Sequence, residues 1–271
     1  MAKRIALFDN IKGVLIILVV AGHFMHPVHN DNLALSAAFD VIYLFHMPLF
    51  VFVSGLFAKG AYREGHLNVN RMISFLVLGL AYQAAYLAIS RSLAFLPFFS
   101  LGYYCTTEQL EHLSYRRGLW AAVVAAACIA LLRIADAHAY DWFFQMVYGD
   151  NPYRSGIVSG VVARLTATAI AVLFSLATLK LVPKASGKLT VLGARTLQVY
   201  VLHRLIRAWL TFQTPFYHLP ILLDPLIGAA IILALSGGIT ALCSIPALTP
   251  PFDALMRMRW IPKRSAEGHT A

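Results

Sequence analysis

The chain has 271 residues, of which 59% are hydrophobic and only 13% are charged, and its mean hydropathy is +0.70. These values exclude an ordinary soluble domain and indicate a polytopic membrane protein. The long apolar runs lack the regular alternation of a membrane barrel, so we predict an all-α transmembrane helical bundle. The net charge of +10 does not predict a nucleic-acid partner, because Lys and Arg concentrate in alternate loops, as the positive-inside rule describes.

This charge pattern predicts about eight spans with both termini in the cytoplasm. The fourth span is short and the fifth is marginal, so these segments tilt, thin the bilayer locally, or include a re-entrant segment. We place a tight turn at Arg91 between the third and fourth spans, and an interfacial helix at Trp142–Tyr148 on the outer side. The predicted spans are residues 7–25, 36–58, 72–90, 92–105, 119–134, 157–180, 190–211 and 221–245.

No internal repeat or linker divides the chain, so we predict a single transmembrane domain over residues 1–251. Residues 252–271 form a basic cytoplasmic tail that we expect to be disordered at its end. The first apolar run ends at Gly22-His23-Phe24 without a cleavage site, and we expect this span to stay in the membrane. For the cysteines we expect buried apolar packing rather than disulfides. They are Cys105, Cys128 and Cys243.

The first span holds the main candidate site. Lys12 and His23 are eleven residues apart, about three helical turns, so they share one face about 16 Å apart. Asp9 lies one turn before Lys12 on nearly the same face. Ionisable groups are costly in hydrocarbon, so this face is predicted to point into the protein and to be functional. His26 and His29 continue a spacing of three from His23, but a helix-breaking proline and the lack of a carboxylate cluster argue against a metal site.

Two further spans carry polar residues at membrane depth. His46 lies at the same predicted depth as His23, and imidazoles suit proton transfer near neutral pH. In the seventh span, Arg195 is close enough to the cytoplasmic end to snorkel, whereas Gln198 and His203 are too deep and should face the protein interior. For His23 or His46 alone, a hydrogen bond to a backbone carbonyl is the favoured explanation, and it weakens when the two are taken together with Lys12. For Gln198 and His203, hydrogen bonding between helices is the plain alternative.

Three short motifs occur in order along the chain. They are Phe8-Asp9-Asn10-Ile11-Lys12-Gly13 with Gly22-His23, Phe45-His46-Met47-Pro48-Leu49-Phe50 with Ser54-Gly55, and Tyr200-Val201-Leu202-His203. This combination resembles the membrane acyltransferase-3 family, and it is most similar to the fucose 4-O-acetylase-like branch. The resemblance covers nearly the whole chain up to about Pro251.

The family has an arginine ten residues short of an essential histidine in the first span. In this sequence Lys12 takes the arginine position and His23 the histidine position, with ten residues between them. A lysine cannot make the bidentate fork of a guanidinium, so the role of Lys12 differs in detail. The family usually has ten spans, so the resemblance implies a compact member.

The resemblance implies transfer of an acetyl or other acyl group from cytoplasmic acetyl-CoA to a hydroxyl of a cell-surface or exported carbohydrate. His23 is the expected general base, and His46 or His203 could donate to the oxyanion. Lys12 either meets CoA or pairs with Asp9. Other candidates for substrate or cofactor contacts are Asp9, Arg71, Gln198 and His203, and the basic residues Arg63, Arg116 and Arg117 could also meet CoA phosphates, although the positive-inside rule already explains the arginines.

The expected partners are therefore acyl-CoA, a carbohydrate acceptor and the lipid bilayer of a bacterial cytoplasmic membrane, with neither metal nor nucleic acid. A transporter or flippase is the alternative, although we find no inverted repeat in the sequence. A non-catalytic scaffold would leave the alignment of Lys12 with His23 unexplained. Direct transfer and a covalent acyl relay both stay open, as do the acceptor, the length of the acyl chain and the oligomeric state.

Overall fold

The structure, a computed structural model, describes residues 6–58, 62–63, 66–67, 85–106, 108–110, 116–136, 138–148 and 156–258. Its described elements are helical, apart from one antiparallel pair of two-residue strands, β1 (Tyr62–Arg63) and β2 (His66–Leu67). The predicted helical class is therefore confirmed. The α-helices are α1 (Ala6–Met25), α2 (Leu33–Ala58), α3 (Ala85–Tyr104), α4 (Arg116–Ala135), α5 (Asp141–Phe144), α6 (Ile157–Leu181), α7 (Lys188–Ala194), α8 (Thr196–Gln213), α9 (Ile227–Cys243) and α10 (Pro250–Arg257).

Three of the described helices, α1, α2 and α6, are long and apolar enough to cross a bilayer. A fourth span results if α9 and the segment Pro246–Arg257, which bend by 62° relative to each other, are counted as one. The chain therefore has three to four candidate spans in its described part. The count of about eight, the cytoplasmic location of both termini and the single domain over 1–251 stay predictions, and most of the predicted span 72–90 lies outside the described residues.

Three predicted boundaries are wrong. The turn at Arg91 is absent, because α3 continues through this position without interruption. The span 190–211 is divided between α7 and α8, with Arg195 at the break. The span 221–245 begins with a short 3-10 turn, Pro220–Leu223, and its α-helix starts only at Ile227. The apolar pattern of the sequence continues through Arg195 and through the segment before Ile227. Hydrophobicity alone therefore does not show where these two helices are interrupted.

Arg195 has a defined partner in the structure. Its Nη1 atom donates a hydrogen bond of 2.8 Å to the carbonyl oxygen of Ser244, at the C-terminal end of α9. A cation near unpaired helix-terminal carbonyls is favourable, since these groups carry partial negative charge. The tail predicted over 252–271 begins with most of α10, while residues 259–271 lie outside the described part.

Asn32 fixes the start of α2. Its Oδ1 atom accepts the backbone N–H of Leu35 at 3.1 Å, the bond of a helix N-cap. Its amide nitrogen donates to the carbonyls of Leu222 and Asp224 at 3.0 and 2.8 Å. The buried side chain of Asn32 thus caps the first turn of α2 and also connects the start of this helix to the segment that precedes α9.

Helix α1 lies at the centre of the bundle. Most residues of its apolar stretch are buried inside the protein, whereas most of those in the apolar stretch of α6 are not. Its first half, around Leu15, contributes to an apolar cluster with α2, α4 and α6. Its second half, around Phe24, contributes to a second cluster with α8, α9 and the start of α2. Of the polar groups on α1, Asp9 and Asn10 are buried, whereas Lys12 and His23 are each half-buried.

Helices α2 and α3 approach closely at two glycines. A Cβ atom on Gly55 would overlap the carbonyl of Phe99, and a Cβ atom on Gly102 would overlap the carbonyl of Phe52. Small residues allow such backbone contact between helices in membranes, where packing and not hydrophobic burial drives association.

The outer surface of the bundle is apolar. Helices α4 and α6 expose several large side chains, including Val124 and Leu165, as expected for groups that face lipid. Cys128 is also exposed, so its predicted burial is wrong, whereas Cys243 is buried and Cys105 is half-buried. The short helix predicted at 142–148 is confirmed as α5 followed by a 3-10 turn, Gln145–Tyr148.

Candidate functional site

The structure joins two histidines that are 180 residues apart in the sequence. His23, near the end of α1, and His203, in the middle of α8, lie with His23 Nδ1 2.8 Å from His203 Nε2. Their rings are nearly parallel, at an angle of 10°, with centroids 5.1 Å apart. His203 is fully buried and His23 is half-buried. The second ring therefore orients the first, and the first still has an exposed portion.

The hydrogen-bond partners assign the tautomers of this pair. His203 Nδ1 lies 2.8 Å from the carbonyl oxygen of Val199, which can only accept, so this nitrogen carries the proton. The Nε2 atom of neutral His203 is then an acceptor, and His23 Nδ1 must donate to it. The remaining nitrogen of His23, Nε2, keeps a free lone pair. This arrangement suits His23 to accept a proton from a bound hydroxyl.

His46 lies in the same region. Its Nδ1 atom is 2.8 Å from the carbonyl of Ile42, and its ring centroid is 4.8 Å from that of Tyr43. Tyr43 packs against α1, since a Cβ on Gly22 would lie 2.8 Å from its Cε2 atom. His46 is near enough to interact electrostatically with His23. The structure thus brings His23, His46 and His203 together, and the proton on His46 Nδ1 leaves its Nε2 atom as an acceptor.

Lys12 and Asp9 form an ion pair at the other end of α1. The distance from Lys12 Nζ to Asp9 Oδ1 is 2.7 Å, and the Asp9 side chain is only 6% exposed against 27% for Lys12. Lys12 Nζ also lies 4.9 Å from the ring centroid of Phe57. Of the two roles left open for Lys12, the pairing with Asp9 is present, and contact with CoA stays a prediction.

Asn10 connects this end of α1 to the segment before α7. Its amide nitrogen donates to the carbonyls of Pro183 and Ala185 at 2.7 and 2.8 Å. Its Oδ1 atom accepts a hydrogen bond of 2.6 Å from Thr190 Oγ1. Asn10 is buried with both donors and one acceptor used, which indicates a structural role. Its residue type signalled a polar group at membrane depth, but its partners are distant in sequence.

Gln198 has a similar environment. Its amide nitrogen donates to the carbonyls of Cys243 and Ile245 at 2.7 and 2.9 Å, and its Oε1 accepts from Thr249 Oγ1 at 2.8 Å. These bonds hold α8 against the bend between α9 and α10, an arrangement typical of a structural amide. Its part in substrate binding stays a prediction. Arg71 lies outside the described residues, and the side chains of Arg63, Arg116 and Arg117 do too.

A buried acidic group on α2 escaped the sequence analysis. The Asp40 carboxylate accepts a short hydrogen bond from Tyr140 and lies 3.3 Å from Arg133 Nε, which also lies 3.0 Å from Ser36 Oγ. Burial, reinforced by this hydrogen bond, raises the pKa of Tyr140 well above its ordinary value. A carboxylate inside an apolar span should have been noticed, because such groups are rare and need a partner. Arg204 and Arg207, which follow His203 on α8, were also missed. They carried the same signal, an ionisable group inside a predicted span.

Fold and site together describe a helical membrane protein whose central helix carries an oriented histidine. Residues 5–90 match a family model described as an acyltransferase domain. This range includes Lys12, His23 and His46 but not His203, which the fold supplies from a later helix. The resemblance to membrane acyltransferases is therefore confirmed for the first third of the chain, while the fucose 4-O-acetylase-like branch stays a prediction.

Two curated proteins are similar to part of the chain. Over 56 residues it is 54% identical to nodulation protein NolL of Sinorhizobium fredii (strain NBRC 101917 / NGR234), which covers 20% of this chain and 15% of that protein. Over 57 residues it is 46% identical to nodulation protein NolL of Mesorhizobium japonicum (strain LMG 29417 / CECT 9101 / MAFF 303099), with the same two shares of 20% and 15%. The matched segment thus spans a small part of these relatives. No solved structure matches the chain.

Proposed function

We propose that the protein is an integral membrane O-acyltransferase that moves an acetyl group from acetyl-CoA to a hydroxyl of a carbohydrate, in the branch typified by fucose 4-O-acetylases. The observation that carries this proposal is the hydrogen bond of His23 to His203, which leaves His23 Nε2 as an oriented proton acceptor. The match of residues 5–90 to an acyltransferase domain supports the same chemistry.

In this proposal His23 is the general base. Its Nε2 atom takes the proton of the acceptor hydroxyl while that oxygen attacks the thioester carbonyl carbon. The bond between carbon and sulfur then breaks, and the CoA thiolate takes the proton back from His23 Nε2. His203 stabilises the intermediate imidazolium, because a hydrogen bond from a charged donor is stronger than one from a neutral donor.

Other residues have supporting roles in the proposal. A water molecule held by the acceptor Nε2 of His46 donates to the oxyanion that forms on the carbonyl. Lys12 and Asp9 lie at the end of α1 that the charge pattern assigns to the cytoplasm, where CoA would enter. The thioester would then reach His23 along the polar face of α1. Arg71 is kept as a contact for CoA phosphates, and the membrane is the cytoplasmic membrane of a bacterium.

The test is transfer of radiolabelled acetyl from acetyl-CoA to a panel of glycans in proteoliposomes. We expect His23→Ala to lower the rate about 100-fold or more, since a general base contributes at least that factor. His138→Ala is the matched control, because His138 is an exposed histidine outside the site. Both variants must keep the unfolding temperature of the wild type.

Two results would contradict the proposal. If the wild type releases no CoA with any glycan, the enzyme assignment fails, and the alternative, a transporter or flippase, should be examined by transport assays. If His23→Ala is as active as the wild type, the protein is an acyltransferase with a different base.

A further inference from the structure

Two arginines follow the buried histidine on α8. Arg204 and Arg207 come one and four residues after His203, so Arg207 lies on nearly the same helix face, one turn further along. Both are close enough to His23 and His26 to act on them electrostatically. They lie near the end of α1 that carries His23, opposite the end where Lys12 pairs with Asp9.

These arginines have no anionic partner within the described part of the chain, where the ion pairs involve other residues. The Nε atom of Arg207 and the hydroxyl of Tyr217 are both buried, and neither has a hydrogen-bond partner among the residues that the structure describes. Such groups are rare in folded proteins, because a buried donor without a partner loses its bonds to water and gains none. Two of them close together indicate that a ligand completes the site.

Tyr217 is a donor at this position. It lies in the 3-10 turn Phe216–His218 after α8, within electrostatic range of Arg207. Burial raises the pKa of Tyr217 to about 12, although the charge of Arg207 opposes this shift. The phenol is therefore protonated at neutral pH and can donate to an acceptor. The chemistry of the three side chains, two guanidinium groups and one phenol, matches a carboxylate or a phosphate.

We propose that Arg204, Arg207 and Tyr217 bind an anionic group of the acyl acceptor, so that the acceptor is an acidic carbohydrate. This inference rests on the proposed function and specifies its substrate class. The acceptor is favoured over CoA because the arginines lie within electrostatic range of the imidazole that takes the hydroxyl proton, at the end of α1 opposite Lys12. In a uronic acid, one sugar ring carries both a carboxylate and the hydroxyls, so a single residue can reach both groups.

An anion at this site would also assist the chemistry. Arg204 and Arg207 place two positive charges near the end of α1 that carries His23. A bound carboxylate or phosphate cancels part of this field at the moment when His23 takes up its proton. Acidic acceptors should therefore gain in turnover as well as in binding.

The experiment compares methyl glucuronoside with methyl glucoside, which carries a hydroxymethyl group in place of the carboxylate, and it scores only acetyl transferred to the ring hydroxyls that both glycosides share. In phosphatidylcholine nanodiscs, the wild type should transfer labelled acetyl to the glucuronoside with a kcat/KM about tenfold higher or more, the gain expected for one charged hydrogen-bonded contact. In the double variant Arg204→Gln/Arg207→Gln this preference should fall to near one, and Tyr217→Phe should reduce it in part. Lys180→Gln, an exposed cation on α6, is the control and should keep the preference.

Binding is measured separately by thermal unfolding with the same two glycosides and with inorganic phosphate. The wild type should be stabilised by the glucuronoside and by phosphate but not by the glucoside, and the double variant by none of them. If both glycosides act equally on the wild type, or if the double variant keeps the difference, the proposal is wrong. It is also wrong if the double variant raises KM for acetyl-CoA alone, or if only phosphatidylglycerol nanodiscs stabilise the protein, because the arginines would then bind the donor or lipid.

The two proposals fail in different ways. If the anions stabilise the wild type through the arginines but no acetyl is transferred to any acceptor, the anion site stands and the acyltransferase assignment falls. If acetyl is transferred equally to both glycosides and no anion stabilises the protein, the acyltransferase stands and the acidic acceptor is excluded.

Discussion

In the proposed mechanism, His203 acts through a single hydrogen bond to His23. Replacing it with alanine removes the acceptor that holds His23 in its tautomer. We therefore expect His203→Ala to lower kcat about 10- to 100-fold with little change in KM, by analogy with the loss of groups that orient metal-bound imidazoles. His203→Gln should recover part of the loss, because its amide oxygen can accept from His23 Nδ1. The measurement is steady-state acetyl transfer in proteoliposomes.

A structural role alone would give a different result for His203. Both variants would then lose folded protein in parallel, and the activity per folded molecule would not change. Equal activity of His203→Ala and His203→Gln at matched folding would contradict the orienting role. The pH dependence of kcat offers a second check. Loss of the acceptor should shift the pH–kcat profile of His203→Ala relative to that of the wild type, whereas the profile of His203→Gln should stay close to that of the wild type.

Lys12 neutralises a carboxylate that α1 buries among apolar side chains. We expect Lys12→Met to lower the free energy of unfolding by about 1–3 kcal/mol, because Asp9 keeps its charge and loses its partner. Lys12→Arg should keep most of the stability. The measurement is equilibrium unfolding by denaturant in detergent micelles.

The double variant Asp9→Asn/Lys12→Met separates pairing from other effects of Lys12. If the ion pair is the cause, the double variant should be more stable than the sum of the single losses predicts. Additive losses would show that the two side chains act independently, and the structural assignment of Lys12 would be wrong.

At the scale of elements, the turn between α1 and α2 depends on neutral histidines. His29 stacks on Phe39 with ring centroids 4.1 Å apart, and its Nδ1 atom lies 2.8 Å from the carbonyl of His26. Burial holds the pKa of His29 below its ordinary value, and for His26 the burial effect is strengthened by the charges of His29 and Arg207. Both turn histidines are therefore neutral in the folded protein at neutral pH.

This shift gives the stability a pH dependence of known sign. The unfolded chain takes up protons on these histidines at about pH 6.5, and the folded chain does so only at lower pH. Stability should be complete above pH 6.5 and fall as the pH decreases below it. His29→Phe keeps the stacking and removes one titrating group, so thermal unfolding between pH 7 and pH 5 should show a smaller decrease than in the wild type. An unchanged slope would contradict this explanation.

At the scale of the whole molecule, α1 should cross the membrane completely. Asn30 follows one end of α1, and Ser186 adjoins Ala185, whose carbonyl binds Asn10 at the other end. With the three native cysteines replaced by alanine, we expect Asn30→Cys to react with a membrane-impermeant maleimide added to intact cells. Ser186→Cys should react only after permeabilisation, because the charge pattern places it in the cytoplasm.

Both positions are exposed, so a failure to react reports sidedness and not burial. Reaction of both cysteines in intact cells, or of Ser186→Cys alone, would contradict the predicted orientation. The same pair of variants in sealed inside-out vesicles should give the reverse pattern.

The sequence alone determined the helical class and the bounds of α1, α2 and α6 to within a few residues, and it placed Lys12 and His23 on one face of α1. These features follow from local properties. Apolar runs of sufficient length must satisfy their backbone bonds internally in lipid, and the cost of an ionisable group in hydrocarbon applies whatever surrounds the helix. The similarity of residues 5–90 to an acyltransferase domain is a property of the same local segment.

Only the tertiary structure decided which polar residues meet. His23 and His203 are separated by 180 residues, and their contact depends on α8 packing beside the end of α1. The same packing places the amides of Asn10 and Gln198 in bonds to distant carbonyls and divides the predicted seventh span at Arg195. It also buries Arg207 Nε and the Tyr217 hydroxyl without a hydrogen-bond partner among the described residues. Periodicity fixes the face of each helix, but the neighbour that covers this face is chosen by the packing of the whole bundle.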